Sequence, residues 1–402
     1  MNEIRPQFPI LTTQVYGRPL VYLDNAATTQ KPQRVIDALC RYYTTLNANI
    51  HRGAHRLAAD ATEAFELVRR KVQTYIGAES AEEIVFTRGT TESINLVAAT
   101  FADRFLTDGD EIIVSGMEHH SDIVPWQLAC RNKSVKLRVI PFSDDGQLDL
   151  EAYRALFTDR TKLVAVCHVS NTLGTINPVA EMAKEAHAHG AKILVDGAQA
   201  VAHIKVDVKQ IGCDFYCFSG HKMYAPMGVG VMYGRKELLA ELPPYQGGGE
   251  MIKDVSFERT TFNDLPFKFE AGTPSVADVV GLGEAIDFIN ETGLDRIAAI
   301  EDDLLRYATA AIDSVKGVKI YGTAPHKAAV LSFNVGKAHP YDVGTLLDKL
   351  GVAVRTGHHC TQPIMDRYSI PGTVRASFAA YNTREEVDLF IAALQRIAPM
   401  LS

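Results

Sequence analysis

The sequence predicts an α/β fold, in which a mostly parallel β-sheet is covered by helices on both faces and a smaller α+β domain follows. Two observations carry this. Through the middle of the chain, short apolar runs alternate with stretches of helical spacing roughly 10–15 residues long, the pattern of successive βαβ units. From Gly281 to Val315 the spacing becomes continuously helical, and only separated strand-like runs come after it.

Glu83–Phe86 reads as a strand before a helix from Thr90 to Ala99. Glu111–Ser115 reads as a strand before a helix from His120 to Arg131. Leu163–Cys167 precedes a helix from Val179 to His189, and the strand Lys192–Asp196 comes next. Asp214–Ser219 and Val229–Tyr233 read as two further strands that bracket Lys222. The stretch from Gly249 to Phe269 shows no period and is too long for an ordinary connection, which marks it as functional. In the second domain Ala329–Asn334 and Thr373–Phe378 read as strands, and Glu385–Leu401 as a closing amphipathic helix.

A chain of 402 residues can bury a large core. A net charge of −7 gives no reason to expect nucleic acid or an anionic membrane as partner. The first residues lack the apolar core of a signal peptide, and no run reaches a membrane span. Six scattered cysteines without a CxxC pair predict neither a zinc ribbon nor a disulfide framework, so a cytoplasmic location is expected. His51 and His55 have the spacing of a metal pair but no third ligand, and no metal is expected.

Candidate chemistry sits where apolar runs end. Val195-Asp-Gly-Ala-Gln199 and Ser219-Gly-His-Lys222 place a carboxylate and an amine at two strand exits. Pyridoxal phosphate (PLP) chemistry needs such a lysine for a Schiff base and a carboxylate to keep the pyridine nitrogen protonated. Arg88-Gly-Thr-Thr-Glu92 opens a helix and suits a phosphate, though it reads equally well as an N-cap with an acidic first turn. No GxGxxG or GxxxxGK[ST] motif occurs, which argues against dinucleotide and triphosphate sites. Glu118-His-His120 offers an imidazole that could stack on a planar ring. Arg355-Thr-Gly-His-His-Cys360 offers a thiol with basic neighbours that favour the thiolate.

Taken in order with Tyr22-Leu-Asp-Asn-Ala-Ala27, His51-Arg-Gly-Ala-His55, His168-Val-Ser-Asn171 and Phe269-Glu-Ala-Gly-Thr273, these motifs mark a resemblance. From about Phe8 to its C-terminus the chain resembles the fold type I, class V PLP-dependent aminotransferases. Within them it resembles the Suf-type (group II) branch of the cysteine desulfurase and selenocysteine lyase family.

The change of pattern near 285 predicts a large domain of residues 21–285, with 1–20 and 286–402 forming a small domain. The resemblance implies a mostly parallel seven-stranded sheet in the large one. Lys222 would hold PLP, Asp196 would pair with its ring nitrogen, Gln199 would bond its ring hydroxyl and His119 would stack on the ring. Thr90, Thr91, Ser219 and His221 would hold the phosphate, with Thr273 reaching the phosphate of the other subunit in a homodimer. Asn171 and Arg375 would hold the substrate carboxylate, beside Ala27, His51 and Arg355.

Cys360, Lys222 and His119 would be catalytic, taking sulfur from L-cysteine as a persulfide on Cys360 and releasing L-alanine. The short segment before Cys360 implies an acceptor protein that comes to the enzyme, SufE-like or SufU-like, with sulfur destined for iron–sulfur cluster assembly. The alternative is a selenocysteine lyase acting on L-selenocysteine. A transaminase or a kynurenine-cleaving enzyme would use Lys222 and Asp196 alike but have no need of Cys360.

Overall fold

The computed structural model describes residues 3–401. Near the start, β1 (Gln14–Val15) and β2 (Arg18–Pro19) form a small hairpin, and β3 (Val21–Tyr22) comes after it. The main sheet is made of β4 (Ile84–Thr87), β5 (Glu111–Ser115), β6 (Lys136–Ile140), β7 (Thr161–Cys167), β8 (Lys192–Asp196), β9 (Phe215–Ser219) and β10 (Gly230–Gly234). These seven strands lie in the order β4-β10-β9-β8-β7-β5-β6. All neighbours are parallel except β10, which runs antiparallel to both β4 and β9. The α/β architecture expected from the sequence is therefore present.

The central strands are continuously apolar between their ends because both faces are covered. Ile193, Leu194 and Val195 on β8 are fully buried, as are Phe215, Tyr216, Cys217 and Phe218 on β9. The edge strand β6 has no counterpart among the strands expected from the sequence. Its Lys-Leu-Arg-Val-Ile pattern is half exposed and lacks the continuous apolar run of its neighbours. The helix expected from His120 to Arg131 is split into a 3₁₀ turn, His120–Asp122, and an α-helix, Val124–Ala129. Pro125 explains the break, since it lacks an N–H and disfavours helical geometry in the residue before it.

The stretch expected to be irregular contains an exposed hairpin, β11 (Ile252–Val255) with β12 (Thr260–Phe262). Neither strand buries one face against a core, so no alternation marks them in the sequence. The later sheet holds β13 (Val318–Tyr321), β14 (Val330–Val335), β16 (Arg355–Gly357) and β17 (Thr373–Ser377) in the order β13-β14-β17-β16, all antiparallel. The short β15 (Val352–Ala353) pairs in parallel with β3 as a separate two-stranded sheet, and the Asp24–Ser377 bridge ties the start of the chain to β17 in this second sheet.

Three apolar cores run through these layers. Ile286, Phe288 and Ile289 belong to the large one, with Ile4, Phe8 and Leu11 from the N-terminus. Phe101, Trp126, Leu163 and Phe215 belong to one built on the main sheet. Val21 and Leu23 join Leu304, Leu305 and the closing helix Arg384–Ile397 in the core of the second sheet. We propose a two-part division of the chain along these cores, with the handover between the helices Val276–Thr292 and Leu294–Ile312.

One close approach of backbone to backbone fixes where a helix begins. A Cβ at Gly230 on β10 would lie 2.3 Å from the Cα of Gly89, the residue that caps the helix Thr90–Phe105. Backbone on both sides leaves nothing flexible to yield. Gly230→Ala is expected to destabilise the protein by about 1–3 kcal/mol. Thermal unfolding of the variant and the wild type checks this, and an unchanged melting temperature would refute it.

Candidate active site

In open α/β sheets ligands collect at the carboxyl ends of parallel strands. Here β4, β5, β7, β8 and β9 end on one edge, and the segments leaving them line a cavity of about 220 Å³. Of the residues predicted from the sequence, Thr90, Thr91 and His119 line it from the β4 and β5 exits. Asn171, Asp196 and Gln199 line it from the β7 and β8 exits, and Ser219, His221 and Lys222 from the β9 exit. Ala27, Arg355 and Arg375 close it from the side of the second sheet.

The phosphate end is preassembled. Ser219 Oγ accepts from the Thr90 N–H at 2.8 Å and lies 2.7 Å from Thr90 Oγ1. Thr91 Oγ1 lies 2.8 Å from Ser121 Oγ, and the 16-residue helix that begins at Thr90 directs its N-terminal N–H groups here. The N-cap reading of this motif holds as well, since Glu92 Oε2 accepts from the Arg88 N–H at 2.6 Å.

Lys222 is half-buried, with its exposed surface turned into the cavity. Burial lowers its pKa to about 8, with Arg375 and Arg355 acting in the same direction and Asp196 opposing. Asp196 is buried, accepts from the Ala198 N–H at 2.8 Å and has its pKa raised by burial. His119 accepts the Ser121 N–H at Nδ1 (3.1 Å), so its neutral ring carries the proton on Nε2. Burial, then the nearby Lys222, depress its pKa to about 3.

These groups fit PLP. An amine of lowered pKa stands beside a buried carboxylate, hydroxyls and helix N–H groups stand at one end, and His221 Nδ1 and Arg375 Nε are buried without a partner. No group of three or more His, Cys, Asp or Glu side chains suited to a metal occurs among the described residues. His55 instead caps the helix Arg56–Tyr75 through Nδ1.

Three predicted residues lie apart from the cavity lining. Cys360 is half-exposed beside it, near enough to Lys222 and Arg375 to bear on their charge. His359 and Cys360 are consecutive left-handed residues with φ of +52° and +61°, at a cost of roughly 1–2 kcal/mol each. The turn is tied down on both sides. Asn171 Nδ2 donates to the His359 carbonyl at 2.8 Å, and the His120 N–H donates to the Cys360 carbonyl at 2.7 Å. His359 Nε2 donates to the Thr373 carbonyl at 3.1 Å.

His51 is held away from the cavity by Glu66, 3.1 Å from its Nε2, and packs edge-on against Phe267. Thr273 is exposed and lines a separate depression with Arg88, Glu92 and Tyr245.

Sequence patterns alone did not single out Ser121, Asp24 or the buried acids Glu118 and Asp122. Ser121 and Glu118 flank the histidine pair, and Asp24 lies inside the Tyr22–Ala27 motif, so proximity was the available signal. Glu118 accepts from Ser115 Oγ, and Asp122 Oδ1 accepts from Trp126 Nε1 at 3.2 Å.

Comparison with known proteins agrees with this geometry. Residues 21–390 match the family model "Aminotransferase class-V". The chain is 51% identical over its full length to the cysteine desulfurase of Dickeya dadantii (strain 3937), covering 97% of that protein. It is equally similar to the cysteine desulfurase of Escherichia coli (strain K12 / DH10B), covering 99% of it. The apo cysteine desulfurase from Thermococcus onnurineus NA1 superposes with a TM-score of 0.94 at 40% identity, over 99% of this chain and 98% of that one. The S-sulfonic acid form of the cysteine desulfurase CsdA from Escherichia coli gives 0.91 at 38% identity, with the same coverage. The chain belongs to the aminotransferase class-V family, whose cofactor is PLP. Within that family it is an enzyme of the cysteine desulfurase group.

Burial raises the Glu118 pKa from 4.5 to about 7. A carboxyl raised in the folded state favours folding fully below its unfolded pKa, and this contribution is lost as pH rises through about 7. Glu118→Gln removes the penalty. Urea unfolding of the cofactor-free protein should therefore show the variant gaining on the wild type between pH 4.5 and pH 8, by on the order of 1–3 kcal/mol. A stability difference independent of pH would refute the assignment.

Proposed function

We propose that this chain is a Suf-type (group II) cysteine desulfurase that passes the sulfur of L-cysteine to Cys360 as a persulfide and releases L-alanine. The observation that carries this reading is Cys360, held half-exposed in a strained and tethered turn beside the cavity that contains Lys222 and Asp196.

Lys222 would hold PLP covalently, Asp196 would face its ring nitrogen, Gln199 its ring hydroxyl and His119 its ring face. Thr90, Thr91, Ser219 and His221 would hold its phosphate. When bound, PLP supplies an electron sink for bonds at the substrate α-carbon. Arg375, with Nε free, and Asn171 bind the substrate carboxylate, helped by Arg355 and the Ala27 segment. Lys222, with a pKa near 8, is neutral often enough to accept the α-proton. The Cys360 thiolate attacks the substrate sulfur. The new S–S bond forms as the Cβ–S bond breaks, and the electron pair left on carbon takes up a proton. His119, with its proton on Nε2, is a donor within the same cavity.

The short reach from β16 to Cys360, and the ties to Asn171, His120 and Thr373, support a persulfide that stays at the rim. An acceptor protein, SufE-like or SufU-like, then collects it for iron–sulfur cluster assembly. A homodimer accounts for His51 and Thr273, which one chain leaves outside its own cavity and which would serve the partner's site. A cytoplasmic location fits a reactive thiol. Among the described residues no helix is long and apolar enough to cross a membrane.

The test is alanine and sulfide production from L-cysteine with a reductant, for wild type and Cys360→Ser. Equal amounts from the wild type and a loss of roughly 100-fold or more in the variant are expected. Alanine without sulfide, or activity indifferent to Cys360, would sink the proposal. L-selenocysteine separates the alternative. A selenol can leave without an enzyme thiolate, so selenium release should survive Cys360→Ala, and equal loss of both activities would remove that distinction.

A further inference from the structure

The turn that follows β5 faces two ways. His119 and Ser121 line the cavity, and Ser121 Oγ lies 2.8 Å from Thr91 Oγ1 at the phosphate end. Hydrogen bonds within the turn hold these two residues in place. The Ser121 N–H donates to His119 Nδ1 at 3.1 Å, and the Asp122 N–H donates to the His119 carbonyl at 2.8 Å. His120 stands between the two cavity residues but outside the lining itself. Its contacts go to the segment that carries Cys360.

His120 meets that segment twice. Its N–H donates to the Cys360 carbonyl at 2.7 Å. Its Nε2 accepts from the Gln362 N–H at 3.1 Å. Gln362 opens the helix Gln362–Tyr368, so its N–H has no carbonyl within that helix to bond. Thr361, the residue before it, makes no capping bond with its side chain. The Thr361 hydroxyl is engaged elsewhere, 2.7 Å from Thr172 Oγ1 and donating to the His358 carbonyl at 2.9 Å. The His120 imidazole therefore caps this helix from across the cavity rim. Acceptance at Nε2 requires the neutral ring with its proton on Nδ1.

The two bonds fall on either side of Thr361, immediately past the nucleophile. Asn171 and Thr373 hold the His359 end of the turn, and His120 holds the end beyond Cys360. Cys360 has φ of +61°, a backbone that persists when its surroundings over-determine it.

We infer that His120 is a positioning residue for Cys360: by accepting the Gln362 N–H, its imidazole sets the Cys360 turn in register with the turn that carries His119 and Ser121. This rests on the reading of Cys360 as the group that takes the sulfur. His120 takes no chemical step. Its loss would free the start of the helix after Cys360 and leave the cavity lining as it is.

The experiment has two readouts on the PLP-loaded enzyme. One is the rate of alanine formation in the first turnover of L-cysteine without a reductant, which reports on the Cys360 step. The other is a titration with L-alanine, followed by the absorbance of the bound cofactor, which reports on the cavity and needs no thiol. His120→Leu keeps the bulk and removes the acceptor. It should slow the first turnover by roughly tenfold or more and leave the L-alanine affinity unchanged. His120→Gln, whose side-chain carbonyl can accept the Gln362 N–H, should recover most of the rate. A general structural defect would weaken L-alanine binding as it slows turnover, so parallel losses overturn the inference. An unimpaired first turnover in His120→Leu overturns it, and so does a His120→Gln variant as slow as His120→Leu. Cys360→Ser separates the two levels. If it loses turnover while His120→Leu does not, the role of His120 falls alone. If it turns over like the wild type, the reading of Cys360 falls and the inference falls with it.

Discussion

Putting the Lys222 amine at the floor of a narrow cavity is the constraint on which the rest of the site depends. Burial disfavours its charged form, which makes the amine usable as a base near neutrality. The same surroundings would penalise the protonated lysine outright without a carboxylate facing it. The sheet supplies Asp196 because β8 and β9 are parallel neighbours, with Asp196 paired to Cys217 two residues before the end of β9. Both strands then finish on the edge where the cavity lies. Glu118 and Asp122 are buried near the same edge, and burial raises the pKa of each, with Asp196 adding to it. Acids and amine are thus displaced toward neutrality from opposite directions, and the site carries fewer full charges than its composition suggests.

The second sheet completes what the first begins, and the chain start joins them. Asn25 donates to the Ser377 carbonyl at 2.6 Å and to Asn382 Oδ1 at 3.0 Å, which ties the segment 21–27 to the second sheet. That segment brings Asp24 to Arg375 and Ala27 to the cavity. The Cys360 turn spans the same seam. Its carbonyls are gripped from the β5 and β7 exits, while the His359 ring is anchored on β17. A non-glycine backbone in the left-handed region persists when its surroundings over-determine it. Attachments from both sheets do that here.

What the sequence revealed depended on whether a residue's role is local. Asp196 ends one buried apolar strand and Lys222 lies three residues past another, so their position at a strand exit can be read from the pattern. Gly89 to Glu92 carries its helix start in four consecutive residues. The exposed hairpin, the edge strand β6 and the break at Pro125 are set by what does or does not cover them, and periodicity is silent there. Asp24, Glu118 and Asp122 are charged residues whose default place is the surface. Only the fold shows that they are turned inward or toward the arginines. His51 and Thr273 were reached through family resemblance alone, and a single chain gives neither a place in the cavity.

The tethering of Cys360 also bears on how sulfur can leave. A nucleophile on a long free segment could collect sulfur inside and carry it out, at the entropic cost of ordering that segment each turn. Here strain and hydrogen bonds have already fixed the turn, so in the proposed reaction the thiol would meet the substrate with little left to order. The same fixation would keep sulfur carried by Cys360 at the rim, half-exposed. Rapid attack and long reach are therefore opposed in this architecture. In the proposed reaction the turn favours attack, and transport is left to a second protein.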